Sequence, residues 1–382
     1  MKKALICAHV AYAIELFNIP NIKLLLEMGY EVSVACNFND RSSLSDERVQ
    51  SLVKKLDSLG VKRYHIDFQR NPFKPQNLKA FFALKKLINK ENYSLIHCHT
   101  PVGGILTRLA AVKARKKGTK VIYTAHGFHF FKGAPKINWF IYFTVEKLCS
   151  YFTDVLITIN GEDFSAAKEK LSAKKNVYIP GVGIDTKKFS SANADKKQKL
   201  TELGIDKNSR IILCVGELSK RKNQQTVIKA LSLLNDKNVH LIIAGVGELR
   251  DELQSLAKEL GIHDNVHFVG FRSDIAELCS ICDVYAFPSR QEGLPVALME
   301  AMAVGKPCVC SVIRGNTDLI DEKGGYLVPC DDAEGFAKSI FELLDDDDKR
   351  ISMGEYNKEK AKQYDFSVVR EIMKGIYGTN ES

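Results

Sequence analysis

Two glutamates eight residues apart, Glu292 and Glu300, bracket the stretch Glu-Gly-Leu-Pro-Val-Ala-Leu-Met-Glu, which directly follows the apolar run 283–289. Pro295 suits the first helical position, where its missing N–H costs nothing. Gly305 and Pro307 then close a helix of about three turns. Glu292 falls in the loop before this helix and Glu300 inside it. Free N–H groups and the positive dipole end at such a helix start suit a phosphate. Two carboxylates beside an anion would repel it unless each held hydroxyls. A nucleotide sugar carries hydroxyls on both sides of its diphosphate.

A second group stands at 215–223, Val-Gly-Glu-Leu-Ser-Lys-Arg-Lys-Asn, after one apolar run and before a helical pattern. Lys220, Arg221 and Lys222 cluster where the helix dipole disfavours cations, an arrangement that makes sense if a polyanion docks there. Gly245 and Gly247 form half of a dinucleotide fingerprint, which alone is a weak signal. Histidines mark the first half: His9, His97, His99, His126 and His129. His126 follows the run 121–125, so it belongs at a strand's carboxyl edge, where doubly wound sheets bind ligands. Zinc at His97 and His99 lacks a third ligand.

The segment around Glu292 and Glu300, with Pro288-Ser289 before it and Ala301-Met302-Ala303 after it, resembles the paired-glutamate motif of family 4 retaining glycosyltransferases. The resemblance covers nearly the whole chain and implies an α/β protein with two facing Rossmann-like, doubly wound domains (GT-B). It implies that Lys222 binds the donor diphosphate, that Glu300 holds ribose hydroxyls, and that Glu292 and His126 stand at the donor sugar. Relatives often carry Arg where this chain has Glu217, so Lys220 or Arg221 is expected to assist. Gly216, Gly293, Leu294 and Asn316 are expected along the donor, with backbone contacts to the base from Phe271 or Arg272. The loop after His9 lacks the glycine pair of many relatives, which points it towards the acceptor. His9, His99 and Phe130 are the acceptor-side candidates. No metal or other cofactor is expected, because lysines and helix ends can do a cation's work.

The elements that must position these residues come in two series. A chain of 382 residues is long for one core and suggests two domains. Residues 4–8, 31–36, 95–99, 121–125 and 155–159 read as buried parallel strands, with helical patterns at 20–28 and 76–90. The series restarts with 211–215, 240–244, 266–269, 283–287 and 307–311. The boundary is expected near 179–185, giving an acceptor domain at 1–183 and a donor domain at 184–365. By resemblance, a final helix at about 366–382 packs back on the first domain. Residues 190–198 read as a surface connector and the acidic run 345–348 as a solvated turn. Cys279 and Cys282 have metal-like spacing without further ligands, which favours plain packing.

Apolar residues make up 45% and charged residues 26% of the chain, a globular composition without any bilayer-spanning run. Glu15 and Asn18 interrupt the apolar start, so the first run reads as a strand of a cytoplasmic protein. Charge is uneven: residues 1–183 hold 28 Lys and Arg against 14 Asp and Glu, and the remainder 27 against 32. An anionic partner for the first half follows. Without a nucleic-acid motif, an anionic membrane surface leads, with the aromatic stretch 128–143 (Phe130, Phe131 and Trp139 near Lys132 and Lys136) as its contact.

The expected activity is transfer of a hexosyl or N-acetylhexosaminyl group from a nucleoside diphosphate sugar, UDP before GDP, to a lipid-linked glycan of exopolysaccharide or capsule synthesis at the inner face of the membrane. The rivals are a GDP-mannose-dependent transferase, a nucleotide-sugar epimerase on the same architecture, and a non-enzymatic sugar sensor.

Overall fold

The computed structural model describes residues 1–40 and 44–378. The chain divides into two compact units, Met1–Val182 together with the chain from Val369, and Gly183–Val368. The last four positions of the expected C-terminal helix lie outside the described residues.

Unit 1 is built on a seven-stranded parallel sheet of β1 (Lys3–Val10), β2 (Glu31–Asn37), β3 (Lys62–His65), β4 (Leu95–His99), β5 (Lys120–Ala125), β6 (Val155–Thr158) and β7 (Lys175–Tyr178), in the order β3-β2-β1-β4-β5-β6-β7. Unit 2 has six parallel strands, β8 (Arg210–Val215), β9 (Val239–Ala244), β10 (Val266–Gly270), β11 (Val284–Phe287), β12 (Cys308–Ser311) and β13 (Gly325–Val328), ordered β10-β9-β8-β11-β12-β13. Both sheets are doubly wound, and in each the strand order reverses once, between β1 and β4 and between β8 and β11. The crevice outside the carboxyl ends of the strands at such a reversal is where this architecture binds ligands.

The apolar runs supply the central strands because these are covered on both faces. Ala4 to Ala8 and Ile211 to Leu213 are essentially inaccessible. The sequence reading lacks β3, β7 and β13. All three are short edge strands, and the first two, Lys-Arg-Tyr-His and Lys-Asn-Val-Tyr, bury little and so carry no apolar run. Other differences are local. Pro295 is the N-cap of the helix Val296–Val304 rather than its first residue, while Gly305 closes it in the left-handed conformation at φ 86°. The expected connector 190–198 is split by the helices Thr186–Ser190 and Lys196–Glu202. Asp346 caps the helix Asp347–Ala361 by accepting from the Lys349 amide, so the acidic run is a helix junction.

On one side of the unit 1 sheet the helix Gln76–Glu91 packs on Pro101–Ala110, which packs on Thr144–Ser150. Arg108 and Glu146, both buried, join the last two through a 2.9 Å ion pair, with the guanidinium 3.9 Å from the Tyr123 ring centre. The final helix, Phe366–Gly378, reaches this unit: Tyr377 Oη lies 2.8 Å from His97 Nδ1, and Lys120 donates to the Ile376 carbonyl. Among the described residues no helix is long and apolar enough to cross a membrane.

Candidate active site

In unit 2 the site grows from the carboxyl ends of β8 and β11. Gly216 follows β8, and the Lys222 methylenes lie against its α-carbon, about 3.3 Å from where a Cβ would stand. The loop ends at Asn223, a left-handed N-cap at φ 56°. Its side chain donates to the carbonyls of Pro288 and Cys330 and accepts from Arg290, while the Arg290 amide donates to the Arg221 carbonyl. The basic loop is thereby clamped to the segment after β11.

That clamp brings Glu292 Oε1 to 2.8 Å from both Lys222 Nζ and Arg221 Nη1. The Lys222 ammonium also lies 4.7 Å from the Phe287 ring centre. Glu217 lies 3.8 Å from Arg221 on its exposed side, so Lys222, paired with Glu292 alone, is the cation best placed for the charge of a departing diphosphate. Lys220 is exposed and stands outside this pairing. The Gly293 and Leu294 backbone is held from the other side. Arg314 donates to the Glu292 carbonyl, and Gly315, at φ 83°, comes so close that a Cβ there would sit 2.4 Å from the Gly293 oxygen.

Glu300 lies within the helix, and its carboxyl has no hydrogen bond or ion pair among the described residues. Burial raises its pKa to about 7, opposed only by Lys188. A carboxyl so placed is ready to accept hydroxyl donors.

One donor-side candidate needs correction, and a second is narrowed to its backbone. The Asn316 side chain is fully buried and donates to the Ser311 carbonyl, so it shapes the loop and cannot reach a ligand. The Arg272 guanidinium is committed to Asp274 and Glu202 beside Lys199, which leaves only its backbone, with that of exposed Phe271, for a base.

Unit 1 gathers its histidines at the ends of β1, β4 and β5. His99 Nδ1 is 3.1 Å from His126 Nε2, and the His126 ring stacks on Phe17 at 4.4 Å. His97 bonds Tyr377 and Thr124 at 2.8 Å each. Desolvation lowers every pKa here: His9 and His126 to about 4, His97 to about 3, and His99 well below the usual range. The cluster is neutral at physiological pH. His9 Nδ1, His99 Nε2 and His126 Nδ1 are buried without partners. Thr100, at φ 67°, holds β4 and β1 together by accepting from the His9 amide and donating to the His99 carbonyl. Such strain in a non-glycine residue collects at functional sites. Thr100, Phe17 and Tyr377 carry no sequence signal for these roles.

His99 is 1% exposed, so it cannot position an acceptor directly; its hydrogen bond instead fixes the His126 ring. Phe130 is likewise corrected. It is 1% exposed, stacked on Phe128 and packed against Trp139 and Phe143, and belongs to the core. After β1 there is no glycine loop, because the helix Ala11–Phe17 starts at once.

Residues 6–160 match the family of glycosyl transferase 4-like proteins and residues 195–360 that of glycosyl transferases group 1. The chain is 38% identical to EpsD of Bacillus subtilis, classed as a glycosyltransferase, over 98% of this chain and 96% of that one. It is a family 4 glycosyltransferase. The enzyme is also 30% identical, over 78% of both chains, to a UDP-Gal:α-D-GlcNAc-diphosphoundecaprenol α-1,3-galactosyltransferase of Escherichia coli. Its fold is that of Anabaena HepE, solved in complex with UDP, with TM-score 0.78, 20% identity and 99% of each chain covered. The solved structure of WaaG, a glycosyltransferase involved in lipopolysaccharide biosynthesis, matches with TM-score 0.74 at 16% identity over 98% and 100% of the two chains.

Proposed function

We propose that this glycosyltransferase moves a hexosyl or N-acetylhexosaminyl group from a UDP-sugar to a lipid-linked glycan, with retention at the anomeric carbon, as a step of exopolysaccharide or capsule synthesis on the cytoplasmic side of a membrane. The observation that carries this reading is the pairing of Lys222 and Arg221 around Glu292 at the carboxyl end of β11. As the sugar–phosphate bond breaks, negative charge gathers on the diphosphate. Preorganised cations stabilise that charge without a metal ion. Glu292 orients both cations and presents its remaining oxygen to the donor sugar. The Glu300 carboxylate accepts the ribose hydroxyls.

UDP is favoured over GDP by the names of the Escherichia coli relative and the HepE complex. A lipid-linked acceptor is favoured by that relative and by a Campylobacter jejuni enzyme, 29% identical over 97% of this chain, named as an N,N'-diacetylbacillosaminyl-diphospho-undecaprenol α-1,3-N-acetylgalactosaminyltransferase.

The test offers UDP- and GDP-sugars with undecaprenyl-diphosphate-linked glycans in the presence of EDTA, and follows products by mass spectrometry and NMR. The expected result is an acceptor heavier by one sugar, α-linked from an α-linked donor, with UDP released. Sugar isomerisation without an acceptor, an inverted linkage, or activity that EDTA abolishes and manganese restores would overturn the corresponding part.

A further inference from the structure

We propose that Asn223 and Arg290 are positioning residues of the transfer reaction: by joining the loops after β8, β11 and β13 they hold the Lys222 ammonium where the leaving diphosphate gathers charge. The inference rests on the role given to Lys222 above and gives neither residue a contact with the donor.

The first observation is what Asn223 does not do. It stands at the N-cap of the helix Gln224–Leu234, where an asparagine ordinarily has extended backbone and accepts from an amide of the first turn. Here the backbone is left-handed and the side chain makes no capping bond. The residue is 2% exposed, and all four hydrogen-bonding positions of its amide are filled elsewhere. Nδ2 donates to the carbonyls of Pro288, at 3.2 Å, and Cys330, at 2.7 Å. Oδ1 accepts from Arg290 Nη2 at 2.9 Å and from Gln225 Nε2 at 3.2 Å. At this length only an amide offers two donors beside two acceptor sites. Three strand-end loops therefore meet on one buried side chain that contributes nothing to the helix end.

The second observation is how little slack lies between this junction and the ammonium. Lys222 directly precedes Asn223, and the amides of both donate to the Ser219 carbonyl, at 3.0 and 3.1 Å. The Arg290 amide donates at 2.8 Å to the carbonyl of Arg221, one residue before Lys222, and its guanidinium joins Asn223 to Asp331. Gln224 Nε2 holds the other end of the loop by donating to the Glu217 carbonyl at 2.8 Å. A lysine on a free loop must be ordered as the reaction proceeds, whereas one whose backbone is fixed is preorganised. A displacement of about 1 Å at such a group can cost about a hundredfold in rate.

The experiment is a double-mutant cycle of Lys222→Ala and Asn223→Gly, read as UDP affinity by calorimetry and as turnover in the transfer assay above, with the melting temperature of each variant. Glycine keeps the left-handed backbone and removes only the amide. Asn223→Gly should weaken UDP binding by about fivefold or more and lower turnover by about tenfold or more. In the Lys222→Ala background the same change should alter either quantity by less than about twofold, because the residue acts through that ammonium. Arg290→Ala should lower turnover by about threefold or more, and Arg290→Lys, which keeps a donor for Oδ1, should recover most of the loss. The inference alone is overturned if Lys222→Ala is impaired but Asn223→Gly acts equally in both backgrounds, if the losses follow the melting temperature, or if Arg290→Lys recovers nothing. A wild type that does not bind UDP, or a Lys222→Ala variant that matches the wild type, overturns the leaving-group reading and this inference with it.

Discussion

The two units place opposite kinds of chemistry at the same point of the same architecture. At the reversal of its sheet, unit 2 holds a charged group, Lys222 and Arg221 on Glu292. Unit 1 holds a neutral one, four desolvated histidines threaded between β1, β4 and β5. The charged group can stabilise charge that develops during a reaction. The neutral group can donate or accept hydrogen bonds without adding repulsion or attraction for a diphosphate. The fold supplies the location, and the side chains decide the role.

The comparison breaks most visibly at Lys222. Lys222→Ala should lower turnover by about 10²-fold or more, because a preorganised cation is lost where charge develops. Exposed Lys220 serves as the control, and Lys220→Ala should change steady-state turnover by less than about threefold, the order of a weak surface contact. Equal small effects from both would make the cluster an ordinary basic turn.

Glu300→Ala should weaken UDP binding by about tenfold or more, since a charge-assisted hydrogen bond is worth roughly 1.5–3 kcal/mol. The wild-type carboxyl, with its pKa raised to about 7 by burial, must ionise to accept two hydroxyls. UDP binding should therefore tighten as pH rises through 7 and release protons there. Calorimetry in buffers of different ionisation heat reads this, and a binding heat independent of buffer would remove Glu300 from the ribose.

In unit 1 the test is positioning. His99→Ala should lower turnover by roughly fivefold, the worth of one net hydrogen bond, with little change in the donor Michaelis constant. His99→Asn, which keeps a donor near Nδ1, should restore most of it. A loss shared equally by turnover and melting temperature, without rescue, would mean that His99 only packs.

The smallest effect is on stability. A histidine near pKa 6.5 when unfolded and about 4 when folded binds fewer protons in the folded state between those values. Acidification from 6.5 towards 4 therefore favours unfolding, by about 1.4 kcal/mol per pH unit for each such group. Denaturant titrations of the wild type and of His126→Asn should diverge in slope by that amount over this window. Parallel slopes would show that His126 is not held neutral.

Much of the donor side was legible because its signals are local. A glycine after a strand, a cation run before a helix and a glutamate on each side of a capped start survive without knowledge of packing. The central strands were legible because burial on both faces leaves an apolar run. Unit 1 was harder to read. Whether His99 or Phe130 meets solvent depends on what lies over it, and neither residue type says so. The stretch 136–150 also contains a π-helical turn, Trp139–Phe143, whose extra residue shifts the helical phase. A regular period of 3.6 therefore gives the wrong ring to the surface: Trp139 goes inward and Phe140 outward. The edge strands β3 and β7 and the ion pair Arg108–Glu146 were silent for a related reason, since polar residues acquire their roles from distant partners.

The hydrogen bond from Tyr377 to His97 has a consequence for how the protein is made. His97 is translated early and Tyr377 late, with all of Gly183–Val368 between them. At 5–20 residues per second a ribosome needs roughly 10–40 s to cross that interval. Throughout it, the nascent unit 1 holds a buried imidazole and the Lys120 ammonium without the partners that the last helix supplies. A stop codon just before Ile376 would leave unit 2 complete and unit 1 without these two contacts, and quality-control proteases would meet the damage in the part of the chain farthest, along the message, from the mutation.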